Sequence, residues 1–145
     1  MKEINFDELK EFLLYKRIAE WDENTLILDD FTFISIECTD WDCCAGAGGT
    51  FSDVELDAVI TDIKIGDVKN INDSDTVVRE IEMKIFHNQN KVVSVNAEAD
   101  AGNGGYYYSV ASVVLRTVSN GEMKFKLIGA DRTLEGTKER VGWKR

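Results

Sequence analysis

The spacing of hydrophobic residues changes period once, near residue 15, and that change sets the expected fold. Phe6, Leu9, Phe12 and Leu13 fall on one face of a 3.6-residue repeat. Asn5 stands where an N-cap belongs and Glu8 follows three residues later, the pattern of a capping box. This spacing predicts a short helix over residues 5–14. Beyond it the period falls to two. Residues 15–21, 25–28 and 31–38 read as three strands separated by Asp-Glu-Asn and Asp-Asp turns, a meander signature. Residues 56–68 read as a long strand, with Val59, Thr61, Ile63 and Ile65 on one side. A loop follows over residues 70–75. Residues 76–87 alternate clearly, with Val77, Arg79, Ile81, Met83, Ile85 and His87 on one side and Val78, Glu80, Glu82, Lys84 and Phe86 on the other. Asn88-Gln89-Asn90 and Ser119-Asn120-Gly121 are turns, and residues 123–128 form a last strand.

Residues 91–118 are the stretch around which the rest is expected to be organised. Two runs rich in β-branched and aromatic residues flank Ala101-Gly102-Asn103-Gly104-Gly105. Glycines take positive φ without a Cβ penalty, so the pattern predicts a hairpin turn. Tyr106, Tyr107 and Tyr108 follow at once; on simple alternation Tyr106 and Tyr108 share a face and Tyr107 points the other way. The whole pattern predicts an α+β domain that is mainly antiparallel β, with one short N-terminal helix and about eight or nine strands in a meander. Neither a repeat nor a linker divides the chain, so residues 1–145 make a single domain, with residues 119–145 as a basic C-terminal strand and tail in which Trp143 could anchor.

Composition adds little to this fold but narrows the function. Apolar residues are 43% of 145, enough for a core, yet no run approaches the roughly 20 apolar residues that span a bilayer. The N-terminus is acidic and amphipathic, which with three cysteines, two of them adjacent, places the chain in a cytoplasm. The net charge is −10, against duplex nucleic acid as a partner, whose binding depends on neutralising phosphates. From Ser119 onward seven basic residues face four acids, so that the tail is net +3 and the body −13. The tail is either a solvated charge run or a segment that packs on the acidic body of another subunit.

Little points to catalysis. His87 is the one histidine, beside a predicted turn, and reads as a surface residue rather than a triad member. Residues 39–49, TDWDCCAGAGG, read as a glycine loop carrying buried thiols. Zinc is the rival reading, but Cys43 and Cys44 lack the usual ligand spacing. Asp40 and Asp42 disfavour a thiolate, so a cysteine nucleophile is not expected. Neither AGAGG nor AGNGG has the lysine-serine ending of a phosphate loop. No catalytic residue, metal ligand or cofactor is therefore assigned. Binding fits better. Bare glycine backbone beside Asn103 and three tyrosines could hold a ligand, although all three rings could equally be packing.

At these residues a resemblance enters. Ile18, Leu26 and Leu28 with Asp29-Asp30, then Asp42-Cys43-Cys44, then Asn103-Gly104-Gly105-Tyr106-Tyr107-Tyr108-Ser109 follow the order of motifs in a phage-borne domain family with an Asp-Cys-Cys signature. The resemblance covers roughly residues 9–118. Most members have no assigned function; the characterised branch resembles the Thoeris anti-defence proteins of type one. The resemblance implies a non-catalytic sponge that sequesters the cyclic ADP-ribose isomer made by a TIR-domain enzyme. It further implies a ligand site at a subunit interface, a homo-oligomer (a dimer or a trimer of dimers), cyclic oligonucleotides at a separate site, and the cytoplasm of an infected bacterial host. Its ligand-contacting asparagine and aromatic fall on Asn103 with Tyr106 or Tyr108, and Phe86. Glycine N–H groups, Gly104 among them, would bind ribose or phosphate. Because the body is acidic, a diphosphate needs a cation, and Arg116, Lys91 or the tail of a neighbour could supply it. Two other readings stand beside this one: an acidic phage or prophage module that binds a host protein, and a cyclic-nucleotide hydrolase.

Overall fold

A computed structural model of the chain describes residues 1–71 and 76–131, except the side chain of Asn103. The helix α1 is Phe6–Leu13, and its start is the expected capping box: Glu8 N–H donates to Asn5 Oδ1 at 2.8 Å and Asn5 N–H to Glu8 Oε1 at 3.0 Å. Leu9 and Leu13 are fully buried, each contributing roughly 1.5–3 kcal/mol of transfer free energy. The helix stops because Leu14 is extended and Tyr15 adopts φ +69°, where its N–H donates to Ile60 O.

Eleven strands are found among the described residues: β1 Lys2–Glu3, β2 Ile18–Trp21, β3 Leu26–Leu28, β4 Phe33–Trp41, β5 Gly46–Ser52, β6 Asp62–Ile65, β7 Lys69–Asn70, β8 Val78–His87, β9 Asn90–Asp100, β10 Tyr108–Thr117 and β11 Gly121–Asp131. The protein is mainly antiparallel β with one short helix, as the alternation predicts. It is not one meander. The strands form two sheets, one in the order β1-β11-β10-β4-β3-β2 and one in the order β5-β9-β8-β6, with β7 also paired to β8. Only β1 with β11 is parallel among the described pairs. Ile34, Ile36, Val113 and Leu115 from the first sheet and Phe51, Met83, Ile85, Val93 and Val95 from the second share one buried cluster, so the sheets face each other across a common core.

Three expectations fail, the first two because local alternation does not say which sheet a strand joins. The AGNGG segment is not a hairpin turn. β9 pairs with β5 and β8, whereas β10 pairs with β4 and β11, so residues 101–107 cross from one sheet to the other. Residues 39–49 are not a long loop. They end β4, turn over Asp42–Ala45 and begin β5 in the opposite sheet. In β5, Gly49 is pressed from two sides: a Cβ there would stand 2.7 Å from Ile36 Cγ2 on the facing sheet and 2.5 Å from Asn96 O on the neighbouring strand β9, so only glycine fits. Residues 56–68 hold only the four-residue β6, because the chain before it bridges to Arg17 and adopts φ +67° at Asp57. The strand after Ser119-Asn120-Gly121 runs longer than expected, to Asp131, while Trp143 and the rest of the tail lie outside the described residues.

Candidate functional site

Two of the three motifs that carry the resemblance, Asp42-Cys43-Cys44 and the Asn103–Ser109 segment, are far apart in sequence and form one structure. Both sheet-to-sheet crossings lie at the same end of the domain. Asp42 N–H donates to Tyr108 O at 3.1 Å, and Tyr108 N–H donates to Asp42 Oδ1 at 2.6 Å. The Tyr108 hydroxyl donates to Asp40 Oδ1 at 2.9 Å. Asp42 O accepts the Ala45 N–H at 3.0 Å, which makes Cys43 and Cys44 the central residues of a β-turn. On the other side, Gly102 N–H donates to Asp100 Oδ1, Gly105 N–H to Gly102 O, and Tyr107 N–H to Ala101 O. Ser109 ties both crossings together: its hydroxyl lies 2.8 Å from Asp100 O and 2.9 Å from Gly46 O and accepts Asp100 N–H at 3.1 Å.

Gly102 sits at φ +81° beneath the Tyr107 ring and against the Cys44–Ala45 peptide, with contacts at 3.0–3.2 Å to any Cβ built there. Gly104, at φ +71°, has nothing within 4 Å of the same position, so its backbone is bare to solvent. Beside it Tyr106 is 63% exposed, and its ring centroid is 6.3 Å from that of Tyr107 at an interplanar angle of 51°. The alternation expected for the tyrosines does not hold, because β10 begins at Tyr108 and Tyr106 closes a short 3-10 turn, Asn103–Gly105, with helical φ and ψ. Where Asn103 directs its amide lies outside the described residues.

The thiols are not buried as expected. Cys43 and Cys44 are exposed, Cys38 is half-buried, and the Cys43 and Cys44 sulfurs are 3.0 Å apart. Hydrogen bonds from Cys44 and then Tyr107 draw the Cys43 pKa below its usual value and outweigh Asp42, while Cys44 is pushed up by the same contact with Cys43. Proximity of Asp42 alone therefore misjudges the pair. Among the described residues no group of three or more His, Cys, Asp and Glu side chains could hold a metal ion, and no helix is long and apolar enough to cross a membrane.

The other proposed ligand residues do not converge on this platform within one protomer. Phe86 pairs with Lys91 at one end of β8 and β9, eight positions from Val78, which pairs with Asp100; that is roughly 25 Å at the rise of a strand. Its ring carries Lys64 Nζ at 5.2 Å from the centroid. Arg116 is likewise eight positions along β10 from Tyr108, roughly 25 Å away. Its guanidinium is already matched by carboxylates, with Nη1 2.5 Å from Glu37 Oε2 and Nε 2.9 Å from Glu122 Oε2. Lys91 pairs with Asp53 at 3.8 Å. His87 is half-buried, with Nδ1 2.9 Å from Val59 O, so it is a tie to the segment before β6 rather than a free surface residue.

Two cavities adjoin the platform, and charge separates them. A groove of about 940 Å³ over the second sheet is lined by Cys44 and Asp100 with Asp67, Glu80, Glu82, Glu98 and Lys69. Glu98 and Glu80 pair in register on β9 and β8, and burial, then Glu80 and Asp100, raise the Glu98 pKa. A smaller cleft of about 570 Å³ is lined by Tyr108 and Asp40 with Arg79, Lys126 and Asp131. Arg79 Nη1 donates to Gly129 O at 2.9 Å and Nε to Asn70 Oδ1 at 3.2 Å; burial lowers its pKa and the field of Asp131 supports its charge. Arg79 and Lys126 are the cations that sequence reasoning missed. Arg79 shares the alternating side of Ile81 and Met83 and reads as a strand residue, and nothing local announces that β8 and β11 meet at Gly129.

The fold and this end of it define a two-sheet antiparallel β domain whose crossings present aromatic rings, bare glycine backbone and a thiol pair. Residues 11–114 match a family described as a domain of unknown function, DUF7448, and the chain belongs to that family. No curated protein and no solved structure matches the chain.

Proposed function

We propose that this protein binds and sequesters a small cyclic nucleotide signal without cleaving it, as a homo-oligomer, in the manner of the anti-defence proteins that its motifs resemble. On this reading the ligand is the cyclic ADP-ribose isomer made by a TIR-domain enzyme, with cyclic oligonucleotides as further ligands, and the setting is the cytoplasm of an infected bacterial host. The observation that carries the reading is the cleft in which Tyr108 stands with Arg79 and Lys126. Two unit charges about 4 Å apart interact by around 4 kcal/mol at an effective dielectric of 20, so the wide acidic groove repels a phosphate, whereas in the smaller cleft Arg79 and Lys126 offset Asp40 and Asp131 and that repulsion is removed. A cleft of about 570 Å³ is within the usual range of roughly 300–1,000 Å³ for small ligands. Exposed Tyr106 and the open Gly104 backbone stand ready for a base, whose stacking contributes roughly 1–3 kcal/mol. Phe86 and Arg116, distant within one protomer, could join only from a second one.

The test is to incubate the protein with lysate of cells in which a TIR enzyme is active, heat the complex and identify what is released. Intact cyclic nucleotide is the expected result, and hydrolysed product overturns the reading in favour of a hydrolase. The acidic groove favours a second reading, an interaction module of a phage or prophage that binds a host protein through its carboxylates. A pull-down that returns one host protein and no nucleotide supports that alternative.

A further inference from the structure

We propose that Cys43 and Cys44 form a thiol–disulfide exchange site that is closed by small-molecule disulfides into a strained, readily reversible ring. The two sulfurs are 3.0 Å apart, both exposed, and held at the centre of a hydrogen-bonded turn. That spacing leaves about 1 Å to travel to a bond of about 2.05 Å. The third thiol, Cys38, is half-buried and directed at Asp40 O at 3.7 Å.

The chemistry balances with one external oxidant, a low-molecular-weight disulfide. The Cys43 thiolate attacks one of its sulfurs; that S–S bond breaks and one half leaves as thiolate. Cys44, having given its proton to water, attacks the Cys43 sulfur of the mixed disulfide and expels the second half as thiolate. Two electrons pass from the cysteine pair to the oxidant. The two protons lost by the cysteines end on the two small thiols. The direction of attack follows from the turn: hydrogen bonds from Cys44 and Tyr107 lower the Cys43 pKa, and the same contact raises that of Cys44, so Cys43 is the readier thiolate.

The closed ring is strained. Adjacent residues joined by a trans peptide keep their Cα atoms about 3.8 Å apart, below the usual minimum of about 4.4 Å for a disulfide, and no peptide in the described chain is cis. Cys43 is already in the left-handed region at φ +39°. Exposed, strained disulfides have the more oxidising potentials and are the labile ones. Closure also reaches beyond the turn. Asp42 holds the backbone of Tyr108, and Gly102 is packed against the Cys44–Ala45 peptide, so reshaping residues 43 and 44 loads both crossings at once.

The experiment exposes the reduced full-length chain to oxidised glutathione, quenches with acid and maps the peptide containing residues 42–45 by mass spectrometry. The expected product lacks two hydrogens, carries no glutathione, and returns to dithiol in a reduced-glutathione buffer that leaves buried structural disulfides intact. Cys44→Ser should arrest the reaction as a stable glutathione adduct on Cys43. A persistent adduct on the unaltered chain, a disulfide that includes Cys38, covalent dimers on a non-reducing gel, or no reaction under these conditions each overturns the proposal.

Discussion

Asp42 and Tyr108, 66 residues apart, grip each other through backbone and side chain: Tyr108 N–H reaches Asp42 Oδ1 at 2.6 Å and Asp42 N–H reaches Tyr108 O at 3.1 Å. This contact joins the two crossings into one platform. Asp42→Ala leaves the half-buried Tyr108 N–H without its acceptor, at a cost of about 1–3 kcal/mol. Asp42→Asn keeps an acceptor oxygen and should lose less. Urea denaturation of the three chains decides it, and equal loss from both substitutions would show that the charge rather than the hydrogen bond matters.

Gly102 and Gly104 offer a paired comparison two residues apart. Gly104, at φ +71° and ψ 7°, is in the left-handed helical region, where alanine costs roughly 1–2 kcal/mol; Gly102, at φ +81° and ψ −172°, is in a region kept almost entirely for glycine, where the strain is of order 1–3 kcal/mol. At Gly104 the new methyl enters open space and that is the whole effect. At Gly102 it meets Tyr107 Cδ2 at 3.0 Å and the Cys44–Ala45 peptide at 3.2 Å, which adds an overpacking cost of about 1–3 kcal/mol. Gly102→Ala should therefore be the more destabilising by calorimetric midpoint, and equal midpoints would mean that neither the Tyr107 contact nor the backbone at Gly102 adds a cost beyond that at Gly104.

What the sequence made legible follows from the range of each signal. The capping box of Asn5 and Glu8 spans three residues and is present as read. The alternation of Ile81, Met83 and Ile85 reports one buried face and is equally secure. Sheet membership is a long-range property. β9 and β10 would look the same whether Ala101–Gly105 folded them back as a hairpin or carried the chain across to the facing sheet, and here it crosses. The same limit hid the cleft, since Arg79 meets Gly129 O across 50 positions of chain. Arg116 stands out in the sequence as a cation, yet nothing local marks Glu37 and Glu122 as its partners, because they reach it only through the flanking strands β4 and β11. Asp42-Cys43-Cys44 and the tyrosines could be named as motifs; that they touch could not.

Two carboxylates should give opposite responses to pH. The hydrogen bond from Arg116 holds Glu37 below the usual carboxylate range, so its contribution is present above the ordinary glutamate pKa and is lost as pH falls through the lowered value. Burial, with Glu80 and Asp100 beside it, holds Glu98 above that range, so its contribution is present below the ordinary pKa and is lost as pH rises through the raised value. Glu98→Gln should therefore raise the urea midpoint at about pH 7 and change it little at about pH 4, once both forms are uncharged. Glu37→Gln should lower the midpoint at about pH 7 and converge with the unaltered chain only under strongly acidic conditions. A stabilising effect of Glu98→Gln that is the same at both pH values would remove like-charge repulsion as its source.

The assignment of the binding cation can be decided between two arginines. Arg116 has its guanidinium spent on Glu37 and Glu122 and stands about 25 Å along β10 from Tyr108. Arg79 lines the cleft with Tyr108 and Lys126; its two described hydrogen bonds go to neutral oxygens, Gly129 O and Asn70 Oδ1, and the carboxylate whose field it feels is Asp131 in the same cleft. If phosphate is bound in this cleft, Arg79→Lys loses the planar fork and should weaken cyclic ADP-ribose binding about tenfold, or about 1.4 kcal/mol. Arg116→Lys should leave affinity unchanged while lowering thermal stability, because lysine cannot bridge both carboxylates in the same way. Titration calorimetry with matched thermal midpoints separates lost binding from lost fold. Should Arg116→Lys abolish binding in a chain that still folds, with Arg79→Lys silent, the ligand lies across a subunit boundary at the far end of β10 and the Tyr108 cleft is not its site.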